Sequence, residues 1–289
     1  MTRWTVPRRP SWALVVFLIA CPTAVAQRHA VDLELVLAVD VSASIDAVEY
    51  GLQMSGLAAA FRHPEVVSAI EASTIGGIAT TVVHWSGARA QAVAVDWTRI
   101  SDAASAARFA DRVGGVPRTI AGGATSISGA IQFALTEIQG NPFEGARLTI
   151  DVSGDGRSNS GPLPTTVRDQ ALALGVTING LAIVKDQPFV DAYYQENVIG
   201  GPNAFVLRAE DYEDFARAIV EKLVREIGLP LSRRREPAGS IVAAFDRFLG
   251  RLESRDWGRY GSRWNTWMAV KRSGIRLFVA PPILVTRPE

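Results

Sequence analysis

Residues 33–44 read Leu-Glu-Leu-Val-Leu-Ala-Val-Asp-Val-Ser-Ala-Ser. A strand that is apolar at nearly every position does not suit a half-solvated sheet, where buried and exposed side chains alternate. It belongs inside a sheet covered on both faces, and such sheets are the parallel sheets of α/β proteins. The run ends in Asp40, and Ser42 and Ser44 follow on alternate positions. Hard oxygen donors just past the end of a buried strand form a place to hold a small divalent cation. A carboxylate with hydroxyls suits Mg²⁺ or Mn²⁺, whereas a zinc site would draw on His or Cys.

The rest of residues 31–228 alternates strand-like and helix-like patterns. Strands are expected at 33–39, 76–85, 90–95, 147–153, 176–183 and 204–207. Helices are expected at 46–61, 65–72, 101–113, 127–139, 164–174, 188–197 and 211–226. Gly76–Trp85 and Gln91–Val95, separated by Ser86-Gly87-Ala88, read as a hairpin, which makes one strand antiparallel at an edge. The expected fold is therefore α/β: a doubly wound, mostly parallel six-stranded sheet with one antiparallel edge strand and helices on both faces. About 200 residues suffice for a single core, and no internal repeat is visible.

Two further connections carry donors like those at 40–44. Ala121-Gly122-Gly123-Ala124-Thr125-Ser126 puts a threonine after a glycine turn and before an amphipathic run. Leu148–Ser153 is a strand followed by Gly154-Asp155-Gly156. Each piece alone has an ordinary explanation. Asp46 with Glu49 makes a capping box, Gly122-Gly123 makes a turn, and Gly154-Asp155-Gly156 makes a loop. Together, Asp40, Ser42, Ser44, Thr125 and Asp155 fall on strand-to-helix connections, which in an open α/β sheet gather at the edge where ligands bind.

Asp-x-Ser-x-Ser at 40–44, Gly-Gly-x-Thr at 122–125 and Asp-Gly at 155–156, in that order, resemble the metal-ion-dependent adhesion site of von Willebrand factor type A domains. The resemblance covers residues 31–228 and is nearest to an uncharacterised group of secreted proteobacterial proteins with this domain. It implies that Ser42 and Ser44 bind Mg²⁺ or Mn²⁺ directly. Asp40 and Asp155 would act mostly through water, and Thr125 either way, depending on conformation. A cation facing neutral oxygens stays electron-poor and favours an anionic last ligand, such as a Glu or Asp carboxylate on a protein partner. Arg157, Ser158 and Asn159 follow Asp155 and form a possible partner-contacting rim; Arg157 is suited to a two-pronged grip on a carboxylate.

The residues argue against an enzyme. The histidines are His29, His63 and His84, no Gly-x-Ser-x-Gly elbow is present, and position 42 holds a serine where an Asp-x-Asp phosphatase needs a carboxylate. Metal-assisted hydrolysis is the first alternative. A structural domain whose metal only stabilises the fold is the second. Trp85 and Trp97 are expected in the core.

The ends of the chain differ from its middle. Residues 1–26 combine Arg3, Arg8 and Arg9, an apolar stretch from Trp12 to Ala20, and Ala24-Val25-Ala26, the pattern of a cleaved export signal. A competing reading takes Leu18-Ile19-Ala20-Cys21 as a lipobox that would leave Cys21 lipidated. Export, periplasmic or secreted, also argues against nucleic-acid partners. Residues 27–228 carry 15 basic and 24 acidic side chains, whereas 229–289 carry 12 and 5. That break marks a basic, Trp/Arg-rich C-terminal extension with an amphipathic helix at about 240–252 and a loosely ordered remainder. Membrane contact by its interleaved aromatic and basic residues is the less favoured reading of the extension.

Overall fold

The computed structural model describes residues 28–228. The export signal, Cys21 and the 229–289 extension with its 240–252 helix lie outside the described residues. Six strands are present: β1 (His29–Asp40), β2 (Ile78–Trp85), β3 (Gln91–Ile100), β4 (Phe143–Gly154), β5 (Val176–Ile183) and β6 (Val206–Ala209). Seven helices connect them: α1 (Ala47–Ala60), α2 (Pro64–Glu71), α3 (Ala103–Gly115), α4 (Ile127–Gly140), α5 (Pro164–Ala173), α6 (Val190–Asn197) and α7 (Phe215–Ile227).

The sheet order is β3-β2-β1-β4-β5-β6. All neighbours are parallel except β2 and β3, so β3 is the antiparallel edge strand the hairpin reading requires. β1 pairs on both sides, with Leu37 opposite Val82 and Asp151. Its alternate residues feed two cores. Leu33, Leu35, Leu37 and Val39 pack with α1, α3 and α7 through Leu57, Phe109 and Phe215. Val36 and Ala38 pack with α4, α5 and α6 through Ile131, Val167 and Tyr194. Both faces are dry, which is why the strand reads as a continuous apolar run. Truncating one such buried leucine to alanine costs about 2–5 kcal/mol.

Three strands run further than their patterns suggest, and one of them is β4, which begins four residues early at Phe143. β1 begins at His29, paired with Phe143, and β3 continues to Ile100. The second half of β3 contains Asp96, Thr98 and Arg99, the polar outer face of an edge strand. Trp97 accordingly lies within β3, partly buried against Phe143, while Trp85 is fully buried.

The face under α7 holds charge as well as hydrocarbon. Lys222 is buried, 2.9 Å from Asp151 Oδ1 on β4 and 2.5 Å from Glu226 Oε1 one helical turn on. Asn179 of β5 donates to the same Glu226 oxygen at 2.8 Å. A helical stripe of apolar residues conceals this cluster in the sequence, because Lys222 and Glu226 fall on the helix face that meets the sheet.

Candidate metal centre

At the C-terminal edge of the sheet the chain turns sharply after β1. The Ser42 backbone N–H donates to Asp40 Oδ1 at 2.7 Å, which ties the carboxylate to the turn that follows it. Ser42 Oγ lies 3.2 Å from Ser44 Oγ, and Ser44 Oγ donates to Asp155 Oδ1 at 3.0 Å. Asp40, Ser42, Ser44 and Asp155 thus form one linked string of oxygens drawn from the ends of β1 and β4. Gln53 of α1 donates to the Asp40 carbonyl at 3.3 Å, and Asp46 caps α1 with the full capping box to Glu49.

The glycine turn lies against the same segment. Ala43 N–H donates to the Gly123 carbonyl at 3.0 Å, and a Cβ on Gly122 would sit 3.2 Å from Ala43 Cα. A side chain here would push the two segments apart by a few tenths of an ångström. Thr125 follows, buried, with its backbone fixed from both sides: its N–H donates to Asn159 Oδ1 at 2.9 Å and its carbonyl accepts from Asn159 N–H at 2.8 Å. The segment after Asp155 is therefore divided. Asn159 and Ser158 bond back to the Thr125 and Ile127 backbone, whereas Arg157 is exposed, its guanidinium 5.6 Å from the centre of the Tyr193 ring.

Two tyrosines reach the carboxylates from behind, and nothing in the sequence marks them. Tyr212, on the connection from β6 to α7, is buried and donates its hydroxyl to Asp155 Oδ2 at 3.1 Å. Tyr194 of α6 is fully buried in space left by two glycines. A Cβ on Gly180 would lie 2.8 Å from its ring, and a Cβ on Gly154 would lie 2.8 Å from both its hydroxyl and Asp40 Oδ2. Neither that hydroxyl nor Asp40 Oδ2 has a hydrogen-bond partner. A search for motifs does not find such residues, because a lone tyrosine on a helix or loop has no spacing signature.

The electrostatics of the site are those of two buried like charges. Burial, then repulsion from Asp155, pushes Asp40 up from 3.8 to about 7, and Arg118 offsets this only weakly. Asp155 is also raised by burial, against the hydrogen bonds from Ser44 and Tyr212. Among the described residues no Lys, Arg or His side chain forms an ion pair with either carboxylate, whereas the buried Asp151 has Lys222. Burying two like charges with only hydroxyls and amides for company is costly unless a cation joins them. His84 is buried near the end of β2. Burial lowers it to about 4, and its Nδ1 is held by Thr119 at 2.8 Å.

Residues 30–230 match the family described as Protein of unknown function (DUF1194). No curated protein matches the sequence. Among solved structures, proximal thread matrix protein 1 from the mussel byssus aligns at TM-score 0.52 and 15% identity, covering 72% of this chain and 50% of that one. The same protein with a zinc-occupied MIDAS motif aligns at 0.50 and 19%, covering 69% and 48%. The pilus adhesin SpaC from Lactobacillus rhamnosus GG aligns at 0.50 and 12%, covering 70% and 31%. The chain spans half or less of the length of these structures. The shared architecture is the von Willebrand factor type A fold, with five parallel strands and one antiparallel.

Proposed function

Because the chain belongs to the DUF1194 family, whose function is unknown, we propose a function from its site: an exported protein that binds Mg²⁺ or Mn²⁺ and uses it to hold an acidic group on a protein partner. The observation that carries this reading is the pair of buried carboxylates, Asp40 and Asp155, joined through Ser42 and Ser44, with no ion pair to a basic side chain among the described residues. The fit is chemical as well as electrostatic, since two carboxylates and neighbouring hydroxyls are the hard donors such cations prefer. Asp40, Ser42, Ser44, Thr125 and Asp155 would hold the metal, which would supply a Lewis-acidic position for an incoming carboxylate.

This chain's own residues do the positioning. The Ser42 N–H fixes Asp40, Tyr212 and Ser44 fix the two oxygens of Asp155, and Asn159 fixes the Thr125 backbone. The zinc-occupied motif of the byssus protein supports a divalent ion in this fold. SpaC, a pilus adhesin, and the byssus matrix protein support binding in preference to catalysis. We assign no catalytic residue. Export rests on residues 1–26, and the basic segment 229–289 is proposed as a separate extension. Among the described residues no helix is long and apolar enough to cross a membrane.

Calorimetric titration of the purified protein with Mg²⁺, Mn²⁺ and Zn²⁺ tests the metal. Capture of extracellular proteins with and without EDTA tests the partner. A saturable heat with Mg²⁺ or Mn²⁺ that Asp40→Ala or Thr125→Ala removes, together with EDTA-sensitive capture, supports the proposal. No uptake of any of the three ions overturns it.

A further inference from the structure

Four large apolar side chains are exposed among the described residues: Val48 at 71%, Ile75 at 48%, Leu163 at 73% and Phe189 at 72%. Single exposed apolar residues are ordinary, but the placement of these is uneven. Val48 opens α1 after β1, Leu163 precedes α5 after β4, and Phe189 precedes α6 after β5. All three therefore stand on connections that leave the C-terminal ends of strands, the edge that carries Asp40 and Asp155. Ile75 alone lies at the opposite end, ahead of β2.

Side-chain contacts knit those connections into one rim. Lys185, after β5, pairs with Glu49 beside Val48. Gln187, two residues before Phe189, accepts from the Arg157 N–H at 3.1 Å, next to Gly156 and Asp155. Gly161, two residues before Leu163, adopts φ +82° and approaches so closely that a Cβ there would meet Ser126 Oγ at 2.8 Å, beside Thr125.

Phe189 is unusual in a second way. Its backbone is left-handed, φ 64° and ψ 21°, and it precedes α6 without any capping bond from its side chain. A bulky residue in that region is strained, and glycine or asparagine would sit there with less strain. Exposure and strain both cost free energy. Strain of this kind concentrates where a ligand is gripped.

We propose that Phe189, with Val48 and Leu163, forms an apolar collar around the metal centre that seats aromatic or aliphatic residues on either side of a partner's Asp or Glu. The proposal rests on the metal-dependent capture argued above and specifies its target: an acidic residue in an apolar setting, not an acidic run. Arg157, exposed beside Asp155, adds a positive charge that suits the incoming carboxylate. Aromatic anchors next to a charged contact are the usual carriers of binding energy in protein interfaces.

Arrays of short immobilised peptides with a central Asp or Glu, flanked by Phe and Leu or by Ser and Gly, test this in Mg²⁺ with the full chain. The expected result is EDTA-sensitive binding that favours apolar flanks by about tenfold or more. Phe189→Asn, which suits the left-handed backbone, should erase that preference while keeping the metal titration, with a melting temperature equal to the parent's or higher. Ile75→Ser should change nothing. Metal-dependent binding without flank preference, or a preference that survives Phe189→Asn, overturns the collar and leaves the metal-dependent capture standing. Absence of any EDTA-sensitive binding, with metal uptake intact, overturns both.

Discussion

Tyr212 gives its hydroxyl hydrogen to Asp155 Oδ2 at 3.1 Å, while Ser44 gives its own to the other oxygen of the same carboxylate at 3.0 Å. Asp155 is thereby held between the turn after β1 and the connection into α7. Groups that orient a metal ligand from behind typically govern about 10–100-fold of metal affinity. Tyr212→Phe should fold and still take up Mg²⁺, with the dissociation constant raised within that range by calorimetry. An unchanged constant would mean that Asp155 is oriented without it.

The two unbalanced carboxylates should make the metal-free protein less stable than its packing allows. Asp40→Asn keeps an acceptor for the Ser42 N–H and removes one buried charge. In EDTA this variant should be more stable than the parent by about 1–4 kcal/mol, read from urea unfolding. With Mg²⁺ at a hundredfold excess over the dissociation constant the gap should shift by about 2.7 kcal/mol in the parent's favour, because only the parent gains from binding.

Gly154 leaves the space that Asp40 Oδ2 and the Tyr194 hydroxyl occupy, each 2.8 Å from where a Cβ would stand. Gly154→Ala should cost about 1–3 kcal/mol through overpacking. Combined with Tyr194→Phe, which deletes one of the crowding atoms, the loss should be smaller than the sum of the two single changes. Simple additivity in the double-mutant cycle would place the crowding elsewhere.

Asp32, near the other end of β1, accepts from the backbone N–H groups of Thr74, Ile75 and Gly76 and from the Thr74 hydroxyl. Burial works to raise its pKa, but these donors outweigh it and the net position lies below 3.8. The folded state therefore holds the ionised form better than the unfolded chain does. Its contribution is complete above about pH 5 and falls away as the pH drops through the lowered value. Asp32→Asn should be destabilised by about 1–3 kcal/mol at neutral pH, and the gap to the parent should shrink in acid melts below pH 4.

Lys222 pairs with both Asp151 and Glu226 in a buried cluster, and Arg147 reaches the Glu226 and Ile227 carbonyls beside it. Lys222→Met should cost about 3–5 kcal/mol, since it strands two carboxylates away from water. Adding Asp151→Asn to it should recover part of that loss in thermal melts.

How much of this was legible in the sequence follows from the range of each contact. Asp40, Ser42 and Ser44 lie within five residues, so local spacing alone puts their oxygens on one turn. Asp155 and Thr125 could be assigned to the same edge because each follows an apolar strand or a glycine turn, and parallel topology then carries them together. The limits of β1 and β3 were less legible, because edge pairing lets polar residues such as Asp96 and Arg99 sit in a strand. Tyr194 and Tyr212 were invisible for a different reason. Their roles depend on glycines and carboxylates far away in sequence, 57 residues in the case of Tyr212 and Asp155. Lys222 was hidden by the helical stripe around it, whose period says which face is inward but not that a charge there will find a counter-charge on the sheet.

That lysine has a mechanical consequence. An ammonium keyed to a carboxylate on the sheet turns α7 into a notched rod: sliding it by one turn would drag a bare charge across hydrocarbon, so axial travel is strongly resisted. Motion arising at Asp155 would have to be taken up in the Tyr212 connection, by hinging or unwinding there, before the rod itself could shift.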